Sequence, residues 1–529
     1  VIDRRIQTEA YWRDEFEVAD QDLTFLNDQF LEEHRPIALT DLARSLIVDY
    51  CKRTEAAVRR QLAKGTVYRP NAAFEIGEKI VFPHLDFAVG TVVSQREGHN
   101  PEYQAFGVIT VEFEDDEEKL EFASELQEPH KLAFADETSW QSVFAISPDM
   151  LYDSYGELVA AKLGQVFADR GDYVEFRGRW LPGAMAADIH VGLLNIAEAM
   201  LVMQEKPLQP QELLSELDLP DEIPDQIKVF CLNRMVSQDE RFVDVGTESQ
   251  VVWSLKRWIP EAARIAPDYM RYETVAYDRT GLDVTHLQLE REIDDEASQL
   301  MAPPTAAAAT ELMLLLTYPH WRNGSLPLTA RTRVFFPAGL PGQLSQITFL
   351  DRAKNGQFKG WVAHDRKYVY GLAEWYEANN IPVSAHIKLE RTDDPLVVAV
   401  DLVPRRMQRE WTRMAVMGQD SQLSFTMQKR PIACQYDELC LIDEPDRSVG
   451  DQVRSDTSDS EVELGQVVKA VFLELAKLTP SVTVHAKTLY SALNVVKRCP
   501  PGQVFATLFS MPEFVTTGDG YWIYQGGAE

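Results

Sequence analysis

Apolar positions recur along this chain with two periods, and the period changes several times. Over 20–70 the spacing is helical: Leu23, Leu26, Phe30 and Leu31 fall on one face. Thr40 ahead of Asp41 predicts the N-cap of a second short helix, and a third runs over 54–64 until Gly65 stops it. Thr66, Val67 and Tyr68 then favour extended chain. From 75 to 132 the period is two, with Ile80 and Phe82, Val89 to Val93, Ile109, Val111 and Phe113, and Leu120 and Phe122. That predicts four or five short strands, with 99–106 as a long hairpin tip. Helix returns over 150–170 and an alternating strand over 173–180. Helices follow at 188–204, at 210–217 (entered through Pro210) and at 223–237, and lead into extended segments at 241–246 and 251–253.

Residues 261–327 mix both patterns and read as a connector. Strands are predicted at 332–336, 346–350, 360–362, 386–389 and 397–402, with a helix at 370–379 among them and another at 404–417 after them. Residues 443–463 hold eight acidic and two basic residues and almost no large apolar side chain, which predicts a solvated acidic linker. Helices at 464–478, 485–498 and 502–510 precede strands at 514–518 and 521–524.

Helices followed by a strand or hairpin are the order of a winged helix-turn-helix. The expected architecture is therefore α+β and multi-domain: a winged-helix-like region at 1–74, an SH3-like barrel at 75–132, and winged-helix modules over 133–260. After the connector come a larger β-barrel with a basic helix at 328–442, the linker, and a last winged helix at 464–529. Glu-Arg-Phe-Val-x-x-Gly at 240–246 echoes Pro-Glu-Phe-Val-x-x-Gly at 512–518, each after a helix and before a Trp-containing strand. Both read as the wing of one repeated kind of module.

Composition narrows the picture. With 52 basic and 83 acidic residues among 529, the formal charge is −31, so nucleic acid is repelled overall and any contact with it needs a local basic stripe. The five cysteines, Cys51, Cys231, Cys434, Cys440 and Cys499, complete no zinc set and suit a reducing cytoplasm. The first residues lack the apolar core of a signal peptide, and the longest apolar run, 312–316, is too short to span a bilayer, so a soluble cytoplasmic protein is expected.

Segment 505–522 (Phe-Ala-Thr-Leu-Phe-Ser-Met-Pro-Glu-Phe-Val-Thr-Thr-Gly-Asp-Gly-Tyr-Trp) resembles the HARE-type winged helix, a family that includes the delta subunit of bacterial RNA polymerase, and 188–258 looks like a divergent copy. The resemblance implies DNA binding or RNA polymerase association, not catalysis. Ile-Gly-Glu-Lys-Ile-Val-Phe-Pro at 76–83, Gly-Thr-Val-Val at 90–93 and Ile-Thr-Val-Glu-Phe at 109–113 resemble the Tudor- or SH3-like domain ending UvrD/PcrA-type helicases and, more loosely, the polymerase-binding domain of CarD-like regulators. That implies a protein-contact module, in which Phe82 and an exposed Phe87 would meet the partner and Gly90 would allow a tight turn. Segment 328–403 is similar to a DNA-binding pseudobarrel, with Ser384-Ala385 where a Gly-Asp turn is usual.

Two basic stretches stand out. Lys52, Arg53, Arg59, Arg60 and Lys64 cluster on a predicted helix whose Val58 and Leu62 face inward. Arg405, Arg409 and Arg413 recur every four residues beside Trp411. Near the C-terminus the helix over 503–510 carries no Lys or Arg, and Lys487, Lys497 and Arg498 lie on the helix before it. No phosphate loop, nucleophile elbow, zinc-protease motif or dinucleotide fingerprint is present, and the histidines have no metal-ligand spacing. The expectation is a transcription-associated, DNA-binding regulator with no catalytic activity, cofactor or metal. The alternative is a protein-binding adaptor of RNA polymerase or another nucleic-acid machine that does not itself bind DNA.

Overall fold

The computed structural model describes residues 8–85, 87–100, 103, 105–113, 116–128, 130, 147–272, 277–298, 300–301, 308–418, 422–444, 448–458 and 463–526. The protein is a mixed α+β, multi-domain chain in two units, Val1–His190 with Asp218–Met235, and Val191–Leu217 with Val236–Glu529.

In the first unit, helices Asp20–Glu33, Leu39–Leu62 and Pro148–Arg170 close a core around Trp12, Phe16, Leu26, Phe30, Leu46, Leu163 and Phe167. Leu39–Leu62 is one helix where two were expected. Thr54 does not cap a new helix, because its hydroxyl donates back to the Tyr50 carbonyl at 2.9 Å. Strand Ile37–Ala38 pairs with Arg179–Pro182, which pairs with Tyr173–Phe176. The small barrel interrupts this domain: strands Thr66–Val67, Lys79–Phe82, Ala88–Glu97, Gly107–Phe113 and Asp116–Ser124 form one five-stranded sheet, hydrogen-bonded in chain order. The strand after the basic helix therefore belongs to the barrel, and the domain's own hairpin lies beyond residue 170. Gly90 sits inside its strand and makes no turn; a side chain there would strike Val111. The hairpin tip expected at 99–106 lies partly outside the described residues.

In the second unit, seven strands in the order Glu311–Leu315, His386–Arg391, Val397–Leu402, Leu344–Asp351, Gly356–Ala363, Tyr368–Tyr370 and Ser325–Pro327 form a curled half-barrel. Its core holds Leu316, Ile347, Phe349, Val362, Trp375 and Ile387. The strand expected at 332–336 is a 3-10 turn, Arg333–Phe335. The connector is structural: its helix Val284–Ile293 packs on Pro501–Ser510, and its strand Glu311–Leu315 edges the sheet. The acidic linker is structural too. Helix Ser448–Ser458 buries Val449 and Val453 in the C-terminal core, Asp451 pairs with Arg322 at 2.7 Å, and Arg454 donates to the Asn494 carbonyl at 2.7 Å. Its apolar content is small but lies on one face, and its charges find partners from other segments.

One small sheet recurs three times. One of its strands carries a tryptophan that pairs with an apolar residue of a preceding strand (in the second set, of an isolated bridge) and, on its other side, with the residue two after a buried aromatic. The sets are Ile37, Trp180, Glu175 and Tyr173; Leu208, Trp253, Asp244 and Phe242; and Val484, Trp522, Thr516 and Phe514. The second and third sets contain the echo seen in the sequence. Among the described residues no helix is long and apolar enough to cross a membrane.

Candidate nucleic-acid interface

Residues 404–417 form a strand, not a helix. Pro404–Met417 pairs antiparallel with Leu423–Cys434 in unbroken register from Gln408↔Ile432 to Met417↔Leu423. Ladder bonds to a partner strand override the helical reading of the isolated segment. A four-residue spacing is compatible with both structures, because i and i+4 share a face at period two as well as at period 3.6. Arg409 and Arg413 therefore still share a face, and Trp411 joins them there. The cross-strand partners on that face are Pro431, Lys429 and Met427. Arg405 leaves the row because the register slips between Pro404 and Gln408; its guanidinium lies 5.6 Å over the Tyr436 ring and donates to Glu410 at 3.1 Å.

The opposite face anchors the ribbon. Thr412, Met414, Ile432 and Cys434 are buried, and Arg430 pairs with Asp443. The outer face is open: Trp411 is 57% exposed and Lys429 stands 5.1 Å over its ring. Arg406 and Arg409 are exposed and have no protein partner among the described residues, whereas Arg413 is half-buried and donates to the Glu438 carbonyl at 2.8 Å. The two strands hold six cations, Arg405, Arg406, Arg409, Arg413, Lys429 and Arg430, against one carboxylate, Glu410. Leu423–Cys434 is the edge strand, so Pro431 fits without breaking a ladder, and the charges beside it discourage edge-to-edge pairing. Lys429, Arg430 and Arg406 were missed as site residues. Once 404–417 is read as a strand, the Gln-Lys-Arg-Pro run at 428–431 is the signal for them.

The other predicted contacts separate into three groups. Lys52, Arg59, Arg60 and Lys64 are exposed at the end of helix Leu39–Leu62, with Val58 and Leu62 buried as expected, while Arg53 is tied to Asp22 (3.0 Å) and Asp49. Phe82 and Phe87 are 1% and 3% exposed. They fill the barrel core and its junction with that helix, so neither is the exposed anchor the resemblance required. Of the three predicted C-terminal cations, Lys487, Lys497 and Arg498, only Lys497 is exposed.

Lys487 is buried between Glu292 (2.5 Å) and Asp437 (2.8 Å). Arg498 is buried completely, its Nη2 bonded to Asp295 at 2.7 Å and Glu296 at 2.6 Å. Glu296 also meets His320 Nε2 at 2.8 Å, His320 Nδ1 meets Ser325, and Tyr490 donates to Asp295 at 2.6 Å. Burial raises the Glu296 carboxyl, but Arg498 and His320 outweigh it and hold the group well below the usual range. This network fastens the C-terminal helices to the connector and faces no solvent. No local pattern announces it, because its acids lie about 200 residues from Arg498.

Among the described residues no cluster of His, Cys, Asp and Glu is arranged to hold a metal ion, and all five cysteines are buried free thiols. Comparison of the chain with protein-family models, curated proteins and solved structures finds no match.

Proposed function

We propose that this chain is a transcription-associated, DNA-docking regulatory protein without catalytic activity, and that its nucleic-acid surface is the outer face of the ribbon 404–434. The observation that carries this reading is the isolated cationic face: Arg409, Trp411, Arg413 and Lys429 side by side on a chain of net charge −31. A long-range repulsive field broken by a local basic face limits non-specific binding and orients the encounter. Arginine and lysine neutralise phosphates, and an exposed indole stacks on a base or packs on sugar. A two-stranded ribbon also has the width of the major groove.

The three recurring sheets support the winged-helix reading, since each follows the order helix, strand, two helices, hairpin. In the first and third of them the last helix does not suit base reading. Pro501–Ser510 has no cation, and in Pro148–Arg170 the Lys162 ammonium is spent on the carbonyls of Trp12, Arg13 and Phe16 at 2.8–3.1 Å. These modules act as a scaffold. Met407 and Met427, exposed beside Trp411, favour the second reading, an adaptor that grips a polymerase subunit through the same face.

Duplex binding measured by fluorescence anisotropy separates the two. Four ribbon cations each neutralising one phosphate would weaken affinity by about 150-fold between roughly 50 and 200 mM salt. No binding at the lower salt refutes the DNA reading. Retention of RNA polymerase by the wild-type chain, lost in Trp411→Ala, would then support the adaptor.

A further inference from the structure

A cleft of about 510 Å³ opens in the second unit, away from the ribbon. One wall is the outer face of the half-barrel, where Lys359 and Trp361 lie two residues apart on one strand and Gln346 is the cross-strand partner of Trp361. The other wall is Ser254, the turn Lys256–Trp258 and the helix end at Val202 and Glu205. The volume is in the range that holds a small organic ligand.

The lining has a definite chemistry. Trp258, half-buried, offers an apolar plane. Trp361 is 9% exposed, and its indole N–H is buried without an acceptor. A buried donor without a partner is an exception that calls for an acceptor from outside the chain. Two cations stand at the cleft. The Arg257 guanidinium is fixed by Glu198 at 2.6 Å, and Lys359 is exposed with no protein partner among the described residues. Glu205 is the single carboxylate of the lining. A ligand that satisfies all of these is flat and aromatic, accepts a hydrogen bond at its edge, donates an amine to Glu205 and carries an anionic group to Arg257 and Lys359.

We propose that this cleft binds a nucleoside monophosphate with an amine-bearing base, a small effector held apart from the nucleic-acid face. The base stacks against Trp258 and takes the Trp361 N–H at a ring nitrogen, while Lys359 and Arg257 hold the phosphate. Because none of its residues belongs to the ribbon, this site and the DNA reading stand or fall separately.

The test is calorimetric titration of the full chain with AMP, and with UMP and inorganic phosphate as controls. AMP should bind in the micromolar-to-millimolar range and at least tenfold more tightly than either control. Lys359→Glu, an exposed substitution that leaves the fold intact, should weaken AMP by about tenfold or more, and Trp361→Phe, which keeps a ring and removes the N–H, by several-fold. Duplex affinity of both variants should match that of the wild type. No heat at roughly 5 mM AMP, equal affinity for phosphate alone, or AMP binding unchanged by Lys359→Glu would each overturn the proposal.

Discussion

Arg498→Met tests whether one buried guanidinium holds the C-terminal helices to the connector. The methionine keeps much of the aliphatic volume and removes the charge. Asp295 and Glu296, 0% and 1% exposed, then have no cation at 2.6–2.7 Å, and Glu296 retains only His320. Removing one partner of a buried pair costs about 3–5 kcal/mol, because the remaining charge stays desolvated and uncompensated. The chain can limit the loss by taking up protons on the orphaned carboxylates. The deficit therefore shrinks on acidification by about 1.4 kcal/mol per pH unit for each proton bound below the new pKa. The assay is urea unfolding followed by tryptophan fluorescence from about pH 5 to 8, with the transition of the second unit fitted separately from that of the first. A second variant, Arg498→Met with Asp295→Asn and Glu296→Gln, removes the charges together and should regain at least half the loss. A deficit under about 1 kcal/mol, or one that does not change with pH, would refute the account and make the network a passive filler.

Burial pushes the Glu444 carboxyl up to about 7, against a hydrogen bond from Tyr318 at 2.7 Å and the nearby Arg322. With a folded pKa above the unfolded one, this group lowers stability as pH rises from about 4.5 to 7. Glu444→Gln should therefore be more stable than wild type by about 3 kcal/mol at pH 8 and indistinguishable near pH 4.5, as measured by chemical denaturation. His485 has the opposite sign: burial and Lys487 lower it to about 4, so it costs stability as pH falls from 6.5 to 4, and His485→Gln should flatten that limb. Arg409→Glu with Lys429→Glu should abolish duplex binding without shifting the melting temperature, and Arg59→Glu with Arg60→Glu should leave affinity nearly unchanged; anisotropy with thermal melts reads both. Gly90→Ala should destabilise the barrel by about 1–3 kcal/mol through its clash with Val111, seen as an earlier first transition in thermal melts.

Local pattern made the barrel strands and the C-terminal helices legible, since Ile80, Val111, Leu489 and Phe505 sit in cores at the period their segments show. What escaped depended on partners distant in sequence. Helical and extended chain share the four-residue spacing of the ribbon arginines, and only Leu423–Cys434 decides between them. The segment 443–463 looked solvated because its two buried valines are few, yet Arg322 and Asn494 give its charges somewhere to go. Lys487 and Arg498 look like surface cations because cations usually are; of the acids that bury them, Glu292, Asp295 and Glu296 come from the connector, the least readable stretch, and Asp437 from beyond the ribbon. Of the ribbon, three arginines and Trp411 were visible from the sequence, while the second strand's Lys429 and Arg430 required the pairing.

The barrel interrupting the first domain fixes an order of events during synthesis. Ile37 cannot find Trp180 until the intervening chain has left the ribosome, roughly 7–30 s at ordinary elongation rates, whereas the barrel is complete from a contiguous stretch of about 60 residues in well under half that time. The insert therefore closes while helices Asp20–Glu33 and Leu39–Leu62 still lack Pro148–Arg170, with Leu26, Phe30 and Leu46 uncovered. In the emerging chain the guest matures before its host, and for that interval the host's apolar face has no cover of its own.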